Sequence, residues 1–205
     1  MHHLRNNSAE TVGDGPEAAA GGDGPEVVVY TDSMAILELM QGDITTVPVD
    51  AVVNGTTARV VIGGGSLDAA IHRAAGPLLM TELRRIMDER KTIALGENIS
   101  TQGYKMPCKM IIHTACPVYM GGGWEEAKSL TECYRSSLLT AHDAGMESIA
   151  FPNLGTGAHT FPKQRACELS LAAVKETLPA VPGIRRVVFV CFEKENYALY
   201  AVRIG

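Results

Sequence analysis

A chain of 205 residues with 46% hydrophobic and 20% charged residues has room for one sizeable α/β domain whose core stands without staples, which excludes a chain disordered over most of its length. Its formal net charge of −5 supplies no overall basic field, so nucleic acid and anionic membranes are disfavoured as partners and any anionic ligand must be held by local donors. The five cysteines, Cys108, Cys116, Cys133, Cys167 and Cys191, are odd in number and lack a CxxC pair, which argues against a disulfide framework or a zinc ribbon and fits a reducing cytoplasm.

Residues 1–33 carry "GDGPE" twice, at 13–17 and 22–26, with little apolar content before Val27. Glycine, proline and acid in that mixture bury too little surface to offset ordering entropy, so this stretch is expected to be a flexible tail preceding a domain at 34–205. Within it "VVVY" (27–30) has the composition of a short edge strand. Neither here nor elsewhere does an apolar run approach the roughly 20 residues of a membrane span, and the N-terminus lacks the apolar core of a signal peptide.

From Met34 onward, short runs rich in β-branched residues predict strands: "AILELM" (35–40), "DAVVN" (50–54), "KMIIHT" (109–114), "SIAFP" (148–152) and "RRVVFVCF" (185–192). Helices are predicted between them. One opens at "SLDAAIHRAAG" (66–76) with Ser66 as its cap, and "ELRRIMDERK" (82–91) reads as a solvated helix face. Another spans 124–144, turns Ala127, Leu130, Tyr134, Leu138 and Ala141 inward, starts on Trp124 as an apolar anchor and ends at Gly145. The last, Lys163 to Leu178, turns Ala166, Leu169, Ala173 and Val174 inward. Alternating strands and helices imply a mostly parallel mixed sheet covered on both faces, a three-layer α/β/α sandwich, with ligands at the carboxyl ends of its strands.

Two glycine-bearing loops fall at such ends. Gly63, Gly64 and Gly65 precede a helix whose unpaired amides and dipole favour an anion, although glycines also serve in plain tight turns. The second loop, "FPNLGTGAHTFP" (151–162), offers the amides of Gly155 and Gly157 and the hydroxyl of Thr156. Together the pair suits a nucleotide-like diphosphate gripped from both sides. Asp68 and His72 lie one turn apart on the same helical face, about 6 Å along the axis. That spacing suits a carboxylate orienting water beside a bound phosphate or sugar; it equally suits an acid that complements the dipole and pairs with a histidine. The pair His113 and Cys116 falls short of a metal site, and core packing explains Cys116.

The ordered segments "ELMQGDITTVPVDAVVN" (38–54), "GGGSLDAAIHRAAGP" (63–77), "IIHTACPVYMGGG" (111–123), "SIAFPNLGTGAHTFP" (148–162) and "VVFVCFEKENYALY" (187–200) resemble the macrodomains, which bind ADP-ribose on an α/β/α fold. The resemblance extends to the MacroD-like branch, whose members hydrolyse mono-ADP-ribosyl groups on acidic side chains and O-acetyl-ADP-ribose. It implies that Asp43, with Ile44 beside it, hydrogen-bonds the adenine amino group and that Phe192 packs on the base; otherwise Asp43 is a turn acid and Phe192 a core aromatic. It assigns Gly63, Gly64 and Gly65 to one phosphate loop and Gly155, Thr156, Gly157, Ala158 and His159 to the other. It places Asn54 and Thr57 near the distal ribose, and gives Asp68, with His72, the hydrolytic water. No metal and no cofactor are implied, and the partner is ADP-ribose or an ADP-ribosylated protein met by a monomer.

The departures cluster at the distal ribose. "NGTT" (54–57) stands where the family reads "NAAN", so Thr57 replaces an asparagine with a shorter side chain. One extra residue separates Asn54 from Asp68, and "HTF" (159–161) replaces an aromatic-Gly-aromatic, putting Thr160 at a glycine position. Two functions therefore stand: an ADP-ribosyl ester hydrolase working through Asp68, and a non-catalytic ADP-ribose reader with an altered ribose pocket.

Overall fold

The computed structural model describes residues 17–18, 27–31, 35–60 and 65–204. Among the described residues eight strands form one sheet: β1 (Glu17–Ala18), β2 (Val27–Thr31), β3 (Ile36–Gln41), β4 (Ala51–Thr56), β5 (Asn98–Gln102), β6 (Met110–Ala115), β7 (Ser148–Phe151) and β8 (Arg186–Cys191), in the order β1-β2-β3-β8-β7-β4-β6-β5. The pairings from β3 to β6 across that order are parallel, and those of β1, β2 and β5 are antiparallel. Five helices cover it: α1 (Ser66–Ala75), α2 (Pro77–Arg90), α3 (Trp124–Asp143), α4 (Lys163–Thr177) and α5 (Lys194–Ala201).

Side chains alternate along each strand, so one sequence serves two apolar layers. Val52, Ile111, Ala150 and Val188 pack with Ile71 and Ala75 of α1 and Leu79 and Leu83 of α2. Their strand neighbours Val53, Ile112, Ile149, Phe151 and Val187 pack against Leu130, Tyr134 and Leu138 of α3 and Ala166 and Val174 of α4, with Tyr200 of α5 completing that face. This is the expected three-layer α/β/α sandwich. The inward faces of α3 and α4 are those the helical period predicts. Among the described residues no helix is long and apolar enough to cross a membrane.

The strand expected at "VVVY" is present as Val27–Thr31, which pairs antiparallel with β3, and Glu17–Ala18 pairs with it in turn. Three local expectations are revised. β5 was not expected because "NISTQ" has one apolar residue; an edge strand paired antiparallel to β6 needs to bury only Ile99 and Thr101. Ser66 is the first residue of α1 and makes no capping bond; Gly65, at φ 142°, stands at the cap. Trp124 starts α3 as expected but is 70% exposed, with the Lys128 ammonium 4.8 Å from the centre of its ring.

Candidate functional site

A cleft of about 380 Å³ opens at the carboxyl ends of the parallel strands, where a parallel α/β sheet places its ligands. Each of these strands delivers its own segment of wall: Gly42, Asp43 and Ile44 follow β3, Gly55 lies next to the last residue of β4 and Gly65–Asp68 come after that strand, Cys116 follows β6, Pro152–His159 follow β7, and Phe192, Glu193 and Asn196 follow β8. Ten of the sequence-predicted residues therefore meet in one place: Asp43, Ile44, Gly65, Asp68, Gly155, Thr156, Gly157, Ala158, His159 and Phe192. Gly63 and Gly64 lie outside the described residues.

Gly65 faces the second glycine-bearing loop. A Cβ built on Gly65 would stand 3.7 Å from the Ala158 Cβ, so the start of α1 and the β7–α4 loop form opposed lips. The β7–α4 loop is shaped by its own bonds: Thr156 N–H and Oγ1–H both donate to the Asn153 carbonyl, Thr160 N–H donates to Gly157, and Phe161 N–H donates to Gly155, which takes φ 79°. Tyr119 N–H donates to the His159 carbonyl and pins the loop from outside. Burial pushes the His159 imidazole below the usual histidine range, against a hydrogen bond to the Pro117 backbone that favours its proton. Asp43, Asp68 and Glu193 bring carboxylates to the wall and Arg73 a guanidinium, so an anion here depends on main-chain N–H groups and the α1 terminus.

At one end of the cleft Phe192 is 79% exposed, which excludes a core role and presents a bare aromatic ring to the opening. Asp43 is a turn acid that also borders the cleft. Its Oδ1 accepts from Thr45 N–H at 2.9 Å and Thr45 Oγ1–H at 2.8 Å, capping a turn of 3₁₀ helix (Ile44–Thr46), while the side chain borders the cleft.

Asp68 sits in the first turn of α1 and is 2% exposed. Its Oδ1 accepts from Asn54 Nδ2 at 2.7 Å and stands 3.3 Å from His72 Nε2. Asn54 is completely buried and lies beneath the cleft, not on its surface. His72, with a side chain 10% exposed, flanks Asp68 from the next helical turn. Among the described residues those bordering the cleft do not include Thr57, whose carbonyl accepts the Val60 N–H at 2.9 Å to close a turn after β4. Asn54 thus supports Asp68 from beneath the cleft, and Thr57 closes a turn.

Several residues were not anticipated. Asn153 shapes the second loop through its carbonyl, a role that its place before "LGTG" signals. Arg73 shares α1 with Asp68, and Asn196 enters from α5 through tertiary packing that carries no local motif. Cys116 is buried as expected yet also borders the cleft. Below Asp68 stand His113 and Thr101, joined to it through Asn54.

A family model described as Macro domain matches residues 53–170. A macro domain-containing protein of Cupriavidus necator is 40% identical over 169 residues, covering 82% of this chain and 97% of its own length. An O-acetyl-ADP-ribose deacetylase of Salmonella gallinarum is 40% identical over 165 residues, covering 80% and 92%. The solved Oceanobacillus iheyensis macrodomain with ADP superposes with a TM-score of 0.83 at 28% identity, over 89% of this chain and 96% of that one. The sheet order, the cleft at its strand ends and these matches together lead to one conclusion: this chain belongs to the macrodomain family.

Proposed function

We propose that the cleft binds ADP-ribose and that the chain hydrolyses ADP-ribosyl esters, either mono-ADP-ribose on protein glutamate or aspartate or O-acetyl-ADP-ribose. The observation that carries this reading is Asp68: a nearly buried carboxylate in the first turn of α1, held by Asn54, on the wall of the cleft that Gly65 and the β7–α4 loop border. The names of the Salmonella deacetylase and the ADP-bound macrodomain support the ligand class.

In this reading adenine packs on Phe192 and gives its amino hydrogens to Asp43. The diphosphate lies between the Gly65 lip and Gly155–His159, where main-chain N–H groups and the α1 dipole offset its charge. The distal ribose then falls beside Asp68, which orients a water against the ester while loop amides hold the developing negative charge. The test is acetate release from O-acetyl-ADP-ribose, with calorimetric binding of ADP-ribose alongside. Asp68→Ala is expected to lose about 100-fold or more in kcat with the affinity held within a few-fold. Equal release by wild type and Asp68→Ala, or none by wild type, sinks the hydrolase reading.

One observation favours a second reading, a non-catalytic ADP-ribose reader. Thr57 turns into a backbone-closed turn at the place where the family pattern has a ribose-facing asparagine, and Thr160 holds φ 57° at a glycine position. Tight ADP-ribose binding without any ester turnover would select it.

A further inference from the structure

Three neighbouring strands place a row of polar side chains in the otherwise apolar layer beneath α1. Asn54 of β4 pairs in register with His113 of β6, and Thr101 of β5 lies on the far side of the ring, all facing the same layer as Val52, Ile111 and Ile99. Asn54 and His113 are 0% exposed and Thr101 is 4% exposed. Apolar side chains would fill these sites at lower desolvation cost, so the row calls for a purpose other than stability.

The bonds along it diverge from the Asn54 amide nitrogen. Thr101 Oγ1 lies 3.0 Å from His113 Nε2, Asn54 Nδ2 lies 3.1 Å from His113 Nδ1, and the same Nδ2 lies 2.7 Å from Asp68 Oδ1. The Asn54 nitrogen has two hydrogens and spends one on each neighbour. For Nδ1 to accept, the ring must be neutral with its proton on Nε2, where the Thr101 hydroxyl oxygen receives it. Burial, reinforced by the nearby His72 and opposed by Asp68, pushes the His113 imidazole down to about 3, so it stays neutral at any working pH. Turning the Asn54 amide over would set its oxygen against both a ring lone pair and a carboxylate.

We infer that His113 is a positioning residue for the ester hydrolysis proposed above: its ring, anchored by Thr101, fixes the Asn54 amide so that nitrogen meets Asp68 and holds that carboxylate on the cleft wall. The inference rests on the hydrolase reading for its catalytic consequence, but the orientation of the row does not.

Two measurements separate these. The ¹⁵N shifts of the His113 ring in the wild-type protein are expected to show a protonated Nε2 and a bare Nδ1, unchanged between pH 5 and 8. A protonated Nδ1 or a titrating ring overturns the inference whether or not the protein is active. For catalysis, His113→Leu removes the acceptor and is expected to lower kcat about 10- to 100-fold with the ADP-ribose Kd within threefold. His113→Asn keeps an acceptor near the Nδ1 position and is expected to recover most of that loss. Thr101→Val, nearly isosteric, is expected to cost several-fold in kcat and serves where the leucine variant does not fold. Equal impairment of the leucine and asparagine variants, or a parallel loss of affinity and kcat, marks a merely structural histidine and overturns the inference. A wild type that binds ADP-ribose without hydrolysing it removes the preceding reading instead, and the ring shifts then decide the orientation of Asn54 alone.

Discussion

Thr160 holds φ 57°, a left-handed conformation that a β-branched residue tolerates at a cost of about 1–2 kcal/mol. The bond from its N–H to Gly157 and the neighbouring bond from Phe161 to Gly155 impose that geometry, so the strain is set by the loop. Thr160→Gly relieves it but adds freedom to the unfolded chain, and the net expectation is a gain of about 0.5–1 kcal/mol, read as a melting temperature higher by about 1–4 °C. An unchanged or lower melting temperature would show the turn to be unstrained. A second local exchange concerns Gly55, where the family pattern has alanine. A Cβ there would meet Leu154 Cδ2 at 3.0 Å and Cys116 Sγ at 3.2 Å, so the room that Gly55 leaves is occupied by a leucine methyl and a sulfur. Gly55→Ala is expected to cost about 1–3 kcal/mol in denaturant unfolding, and adding Cys116→Ala to return roughly half, since the Leu154 contact remains. Additive losses in that double-mutant cycle would show the two sites to be uncoupled.

Asp50 ties the amino ends of three strands together just before β4. Its carboxylate accepts the N–H groups of Glu147 and Ser148 and the Ser148 hydroxyl, and pairs with Lys109 at 2.8 Å, while its carbonyl accepts from Lys109 and Met110. Burial pushes this acid up, but the Lys109 and main-chain hydrogen bonds outweigh it and bring it down to about 2. A folded-state value below the unfolded one means that the contribution is fully present above about pH 4 and is lost as pH falls through about 2. Asp50→Asn is therefore expected to be less stable at neutral pH by about 1–2 kcal/mol, allowing for screening of the exposed lysine, and to show a flatter stability profile between pH 4 and 2. Identical acid profiles for the two proteins would remove Asp50 from the account. At this scale the chain was legible where burial is periodic: α3, α4 and the five parallel strands announce themselves because one or both faces must be apolar. β5 did not, since an edge strand can be polar, and the depth of Asn54 beneath the cleft was not legible because spacing gives a side chain's strand but not its burial. His113 stood in plain view in "IIHTA"; its partners Thr101 and Asn54 come from strands that only the tertiary register brings alongside.

At the level of the whole molecule the cleft belongs to no single segment. Its walls come from loops after β3, β4, β6, β7 and β8, so any unfolding that separates these strands dissolves it. A ligand of the cleft should then stabilise the entire domain: ADP-ribose at a hundredfold excess over its Kd adds about 2.7 kcal/mol, and a melting temperature higher by roughly 5–10 °C is expected. No shift at saturating ADP-ribose would place its binding elsewhere or nowhere. The position of β8 between β3 and β7 carries this further into the life of the chain. Strands β3 and β7 are synthesised well before the strand that must slot between them, and Asp43 cannot be brought opposite Phe192 until that insertion occurs. A nascent chain still held on the ribosome short of β8 thus has no complete cleft, and the site arrives in one late step when the missing strand closes the sheet.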